Sequence, residues 1–426
     1  MTIPSRWVSC AMAAALVAGS ALAKPAAHTP AAQWRDAFAS SPASYAPPSE
    51  EMIRSAAEHM KRPAEAIRES LNPRALNGTV RYRVTLAAGG SRIRIRLSNE
   101  EGPTPLAIAA VSVGIAGPGL SARPGSIKPV TFGSASSLVM PAAAPALSDP
   151  VDLPVSAGAA LVVSVALASP LLNDARGGGI VALVPGDQTM REVFDNPAMM
   201  PGRSLVSAVS VSSSRPPRVI VALGDSITDG NRARDDELHG WPEELAHRLN
   251  AARPGAYAVV NAGIGGNRLL ARGWGAAGLA RLDRDALRLD GVSHLILLEG
   301  INDIGMSGRS GFGDNPEITA PELIAGYRQV IARAQARGIS VIIGTLLPST
   351  GSSSHSSPYK DQVRDLVNQW IRTSGEPDGV IDFNKVMTDP AAPGTMRRDY
   401  DSGDHLHPSE AGYKAMGDSI DLTLFD

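Results

Sequence analysis

From Thr79 onward apolar residues take every second position: Val80, Tyr82, Val84 and Leu86 alternate with Arg81, Arg83 and Thr85. After Gly89-Gly90 the alternation resumes at Ile93, Ile95 and Leu97. A period of two places one set of side chains on each face of a strand, so this stretch predicts a β-hairpin. Short apolar runs at 107–115, 136–140, 160–166 and 180–184, parted by Gly, Pro, Asn and Asp, extend it to an all-β sandwich of roughly seven or more strands. The sandwich is expected to span 76–210. Ahead of it, 49–71 reads as a short pair of amphipathic helices closed by Pro73, and the Ala-, Pro- and Ser-rich stretch 25–48 as a flexible lead-in, so that 24–75 stands apart from the sandwich.

Beyond the spacer Ser212-Ser213-Ser214-Arg215-Pro216-Pro217, within a linker placed at 211–217, the period changes. Continuous apolar runs at 219–223, 257–260, 294–298, 340–344 and 380–381 read as strands buried on both faces. Helical patterns at 242–252, 279–289, 321–336, 360–372 and 409–422 alternate with them. Five β–α units predict an α/β domain over 218–426 with a doubly wound parallel sheet. In such a sheet the ligand crevice lies beyond the carboxyl ends of the strands, which directs attention to the loops that follow them.

Composition narrows the partners. Lys and Arg number 40 against 42 Asp and Glu, for a formal net charge of -2, so nothing in the balance calls for a nucleic-acid backbone or an anionic membrane. Arg81, Arg83, Arg92, Arg94 and Arg96 would share the polar face of the hairpin, read as a solvated strand face rather than a basic strip for an acidic polysaccharide. At the N-terminus, Arg6, an apolar run from Trp7 to Val17 and the small residues Ala21-Leu22-Ala23 have the form of a signal peptide over 1–23, with the mature chain expected to begin near Lys24. The single cysteine, Cys10, lies inside it, which excludes cysteine catalysis and disulfides from the mature chain. No later run reaches membrane-spanning length, and a secreted or periplasmic location is expected.

Four loops carry chemistry. After the first parallel strand comes Gly224-Asp225-Ser226-Ile227-Thr228-Asp229-Gly230, a serine on a sharp strand-to-helix turn, as a nucleophile requires. Gly417-Asp418-Ser419-Ile420 repeats the tetrapeptide, but in a helical pattern with no strand before it. After the second strand, Asn261-Ala262-Gly263-Ile264-Gly265-Gly266-Asn267 lets backbone N–H groups approach a ligand. After the third, Asn302 in Gly300-Ile301-Asn302-Asp303 offers an amide that can donate to an oxyanion without changing charge. In Asp404-His405-Leu406-His407-Pro408, a carboxylate three residues from a histidine can accept from Nδ1–H and leave Nε2 free as a base. Each alone reads equally as a cap or a turn; together they supply nucleophile, base, orienter and oxyanion donors.

The blocks GDSITDG, NAGIGG, GIND and DHLHP, in this order across Val219 to Gly417, resemble the SGNH hydrolases, also called GDSL esterases and lipases. Ile227 stands where the namesake motif has Leu. The resemblance implies a flavodoxin-like sheet and names Ser226 as nucleophile, His407 as general base and Asp404 as its orienter. It also implies an oxyanion hole from the backbone N–H groups of Ser226 and Gly266 and the side chain of Asn302. Hydrolysis would run through an acyl-enzyme with no metal or organic cofactor. The whole chain is similar to secreted two-domain members of that family. The expected substrates are short acyl groups on saccharides or small esters, with lysophospholipids or longer acyl esters as the alternative.

Rival readings come from other letters. Gly273-Trp274-Gly275-Ala276-Ala277-Gly278 spells a dinucleotide fingerprint, yet it lies a dozen residues past the nearest strand rather than directly after one. Asp401, Asp404, His405 and His407 crowd one loop with metal-ligand types. A glycan-binding protein with an inert hydrolase fold is the reading outside enzymes. Trp241, Arg268, Trp274 and the loop 306–315 are candidates for the cleft wall, with packing as the plainer role for each.

Overall fold

Alternation in the first half of the chain builds two large antiparallel sheets, beside a two-stranded one of Arg74–Leu76 and Leu171–Asn173. The computed structural model describes residues 33–42, 49–71, 74–173, 179–230, 240–309 and 315–426; the expected signal peptide, with Cys10, lies outside them. One sheet has four strands in the order Gln33–Ala39, Val206–Ser213, Arg92–Asn99 and Ala144–Leu147. The other runs Ala198–Pro201, Ile180–Val184, Thr79–Thr85, Ala160–Leu167, Leu106–Ile115 and Lys128–Val130, with Leu138–Met140 also paired to Leu106–Ile115. Val80, Tyr82 and Val84 of the second sheet are buried in the same apolar core as Ile93, Ile95 and Leu97 of the first. Helices Glu50–Met60 and Ala64–Leu71 lie between Gln33–Ala39 and the other strands of this half, the first capped by Ser49, whose hydroxyl accepts from Met52 N–H.

Two expectations need correction. Thr79–Thr85 and Arg92–Asn99 do not form a hairpin, because they lie in different sheets. The turn between them crosses over: Gly90 N–H donates to Val155 O and Ser91 N–H to Ser212 O. Each strand has an apolar face to bury, and facing each other across the core buries both faces at once. The five arginines are therefore divided between two outer faces and do not make one strip. Arg81 is fully buried, donates to Ser164 Oγ at 2.7 Å and to Glu192 O, and lies 3.8 Å over the Phe194 ring. Arg83 donates to the carbonyls of Gly117 and Gly119, Arg94 stacks on Trp34, and Arg96 pairs with Glu100.

The second correction concerns the lead-in, which contains the strand Gln33–Ala39. It pairs along Val206–Ser213 with a register shift between Asp36 and Phe38. Asp36, buried there, accepts from Ser210 Oγ at 2.6 Å and from Asp290 N–H at 2.8 Å, the latter in the second half of the chain. Burial raises its pKa, opposed by these two hydrogen bonds.

In the second half five strands are all parallel: β1 (Arg218–Gly224), β2 (Tyr257–Gly263), β3 (Val292–Leu298), β4 (Ser340–Gly344) and β5 (Gly379–Ile381). Their order is β2-β1-β3-β4-β5, the doubly wound, flavodoxin-like arrangement. The helices are α1 (Ser226–Asp229), α2 (Trp241–Ala252), α3 (Gly278–Leu282), α4 (Ile301–Met306), α5 (Ala320–Gln335), α6 (Pro358–Thr373), α7 (Phe383–Met387) and α8 (Glu410–Ser419). A π-helical turn, Asp283–Leu287, continues α3. The winding reverses at β1, between β2 and β3, so the loops that follow these three strands meet at one crevice.

The two halves share one apolar core and a set of polar ties. Arg203 pairs with Asp229 at 3.2 Å, Glu101 with Arg284 and Arg272, and Ser41 Oγ donates to Ala262 O. Among the described residues no helix is long and apolar enough to cross a membrane.

Candidate active site

β1 ends at Gly224, where a Cβ would sit 2.4 Å from Leu298 O and 2.2 Å from Thr228 Oγ1; only glycine allows β1 to lie this close to the end of β3 and the next turn. Asp225 then caps α1, its carboxylate accepting from Ile227 N–H at 2.9 Å, and Ser226 takes the first helical position. Ser226 Oγ lies 2.8 Å from His407 Nε2. His407 Nδ1 lies 2.7 Å from Asp404 Oδ2, while the other carboxylate oxygen accepts from the N–H groups of Leu406 and His407 and from Ser402 Oγ. Burial alone would raise the Asp404 pKa. The hydrogen bonds from the His407 side chain and backbone and the proximity of His407 outweigh it, holding this carboxyl well below the usual range.

The loop 401–408 sorts its other acid and histidine into a separate pair. Asp401 accepts from His405 Nδ1 at 2.6 Å and from the N–H groups of Gly403 and His405, the latter at φ +60. The four ligand-type residues are thus two carboxylate–histidine pairs, and among the described residues no group of three or more His, Cys, Asp and Glu is placed to hold a metal ion.

Gly266 follows β2 with φ +67, and a Cβ there would lie 1.9 Å from Trp274 Cδ1. Gly265 N–H donates to Asp229 Oδ2, tying this loop to the end of α1. Asn302 stands in the first turn of α4 and is buried. Its Oδ1 lies 3.1 Å from His355 Nε2, and its Nδ2 has no hydrogen-bond partner among the described residues. Ser226 and Asn302 thus stand in short helices that open directly after β1 and β3, and Gly266, Asp404 and His407 on the loops expected for them. Direct hydrogen bonds join Ser226, His407 and Asp404, and Gly266 and Asn302 stand beyond the two strands that flank β1.

Residues without a local sequence signal support this arrangement from beneath. Arg281 is fully buried and donates to Gly224 O at 2.8 Å, Ala262 O at 2.6 Å, Ser41 Oγ, Asp285 and Glu299. It adds a charged donor to carbonyls at the ends of β1 and β2, of which Gly224 O also accepts from Ile264 N–H and Ala262 O from Ser41 Oγ. Asp225, Glu299 and Asp303 are buried around it, and burial raises the pKa of all three, opposed at Asp303 by the N–H groups of Leu270 and Leu269. Of the candidates for the cleft wall, Trp241 is fully buried against Phe383 and is core. Arg268 is buried, donating to Asn315 Oδ1 and Arg272 O. Of the loop 306–315, residues 310–314 lie outside the described residues. The glycines 273, 275 and 278 lie in an irregular segment that opens α3, with no strand directly before them. Ser419, in the second GDSI copy, ends α8 and donates to Met416 O.

Residues 222–415 match the model of the GDSL-like Lipase/Acylhydrolase family. Residues 222–415 thus form a GDSL-like lipase/acylhydrolase domain. This acylhydrolase domain makes the chain a carboxylic ester hydrolase. Solved structures similar to it include an acetylxylan esterase from Geobacillus stearothermophilus, with 22% identity, 48% of this chain and 92% of that chain covered, and a TM-score of 0.36. An alpha/beta hydrolase enzyme from the metagenome of Lake Arreo, Spain, has 19% identity, 48% and 93% coverage and a TM-score of 0.38. No curated protein matches the chain in sequence.

Proposed function

We propose that this GDSL-like hydrolase is an exported serine esterase that removes short acyl groups from saccharides or small esters through an acyl-enzyme. The observation that carries the reading is the continuous relay from Ser226 Oγ through His407 to Asp404, at 2.8 and 2.7 Å. With Nδ1–H donated to Asp404, Nε2 of His407 is the unprotonated nitrogen and takes the Ser226 proton as Oγ adds to the ester carbonyl. The tetrahedral oxyanion is met by the N–H groups of Ser226 and Gly266 and by the Asn302 amide. Collapse breaks the bond to the alcohol, which leaves with the proton from His407, and Ser226 is acylated. Water then gives a proton to His407 and adds to the acyl carbon; the second collapse frees the acid and returns the proton to Ser226.

Surface chemistry favours short acyl groups. Of the large apolar side chains exposed among the described residues, six belong to the antiparallel half and two, Tyr359 and Leu366, to α6. Among the described residues none stands on the segments bearing Ser226, Gly266, Asn302 or His407. Hydrolysis of p-nitrophenyl esters from acetate to palmitate, by the protein and by Ser226→Ala, tests the reading. Turnover that peaks at acetate and vanishes in Ser226→Ala is expected. A peak at palmitate would replace it with the longer-acyl alternative, and equal activity of the two proteins would remove Ser226 as nucleophile. Export is checked by N-terminal sequencing of protein from periplasm and medium, expected to begin near Lys24. Full-length chain confined to the cytoplasm would exclude it.

A further inference from the structure

Asn302 can serve an oxyanion in only one of its two amide orientations, and its own helix does not choose between them. The choice falls to the loop after β4. His355 is buried there, with Nε2 3.1 Å from Asn302 Oδ1 and Nδ1 2.6 Å from Ser354 Oγ. A neutral imidazole carries one N–H and one acceptor nitrogen. If Ser354 donates its hydroxyl proton to Nδ1, the N–H is at Nε2 and must meet an oxygen; Asn302 then presents Oδ1 to the histidine and turns Nδ2 away. That Nδ2 is buried without a partner among the described residues, at a cost of about 1–3 kcal/mol for an unmet donor, which marks it as a group kept for another acceptor. The opposite polarity would aim a carbonyl oxygen at the developing negative charge.

The imidazole is also fixed in place. A Cβ on Gly305, one turn along α4 from Asn302, would lie 1.9 Å from His355 Cδ2, so the ring rests on bare backbone. Lys360 Nζ donates to Gly305 O at 2.7 Å and to Ser354 O at 3.0 Å, clipping the loop to the helix. We infer that His355 is a positioning residue that sets the polarity of the Asn302 amide for catalysis, an inference that rests on the oxyanion role proposed for Asn302.

The test is a double-mutant cycle on p-nitrophenyl acetate, with active sites counted by a serine-directed fluorophosphonate so that misfolded protein drops out. Asn302→Ala is expected to lower kcat by roughly 10² to 10³. His355→Ala is expected to lower kcat by roughly tenfold to a hundredfold with KM within about twofold, the scale of a misaimed catalytic group. In the Asn302→Ala background His355→Ala should cost nothing further, and His355→Gln, whose amide N–H can replace the Nε2 donor, should recover most of the loss. Multiplying losses in the double variant, an unimpaired His355→Ala, or a His355→Gln no better than His355→Ala would overturn the inference while leaving the oxyanion role standing. Normal kcat in Asn302→Ala would remove both.

Discussion

Asp404 divides its two oxygens between two tasks: one meets the imidazole of His407, the other takes the N–H groups that shape the loop. The same contacts set its response to pH. A carboxyl whose folded pKa lies below its unfolded value of 3.8 contributes stability above that value and loses it only as the pH falls through the lower, folded one. The charge on Asp404 thus persists through mildly acidic conditions. Asp404→Asn should keep the loop but present an amide N–H to Nδ1, forcing the proton to Nε2, where it blocks acceptance from Ser226. A fall in kcat of roughly 10⁴ with little change in KM is expected in steady-state kinetics. Asp404, His407 and Ser226 were legible because acid and histidine share one turn and the serine follows a strand. His355 was not: it lies 53 residues from Asn302 in a Ser-rich stretch, and only the packing of that loop on α4 brings them together. Arg281 has the same character, its partners drawn from four separate segments.

At the scale of elements, the loop after β2 combines a left-handed backbone with a covering indole. Gly266→Ala meets both obstacles, φ +67 and Trp274 at 1.9 Å, so the loop must move if the variant folds. A loss of about 1–3 kcal/mol in urea unfolding is expected, with a fall in kcat on p-nitrophenyl acetate of roughly tenfold or more as the backbone donor is displaced. An unchanged kcat would remove Gly266 from the oxyanion hole. The parallel strands were readable because each is a continuous apolar run set among amphipathic helical patterns, whereas their flavodoxin-like arrangement was implied only by the resemblance that the loop motifs carry. The antiparallel half was less so. Alternation reveals which face of a strand is buried, but not whether its sequence neighbour lies beside it or across the core, and that ambiguity produced the hairpin. Gln33–Ala39 escaped notice because its pairing uses backbone groups and the buried Asp36 rather than an alternating apolar face.

Across the whole molecule, acid sensitivity should come from a histidine remote from the catalytic loops. His294, on β3 and edge-on to Tyr257 and Phe425, has its pKa lowered from 6.5 to about 4 by burial and by Arg218, against a raising influence from Asp378. The folded state disfavours its protonation, so its contribution is complete above pH 6.5 and is lost as the pH falls from there toward 4. The buried acids Asp225, Glu299 and Asp303, whose pKa burial raises, act in the opposite sense, so the contribution of His294 is read as a difference: from pH 6.5 toward 4 the Tm of His294→Asn should fall less, or rise more, than that of the unsubstituted protein, even where its Tm at neutral pH is lower. An equal slope in both proteins would place the sensitivity elsewhere.

The ties through Arg281 and Arg203 bear on how such a chain can be rebuilt. A graft made at the boundary near 211–217 would take away Ser41, which shares the Ala262 carbonyl with Arg281, and Arg203, the partner of Asp229 at the end of the nucleophile helix. The incoming front half would have to bring a hydroxyl and a cation to the same two places, or leave Asp229 without its cation and the Ala262 carbonyl with one donor fewer close behind the serine. Interchange of these halves between proteins is therefore restricted to donors that supply both groups, whatever else they contribute.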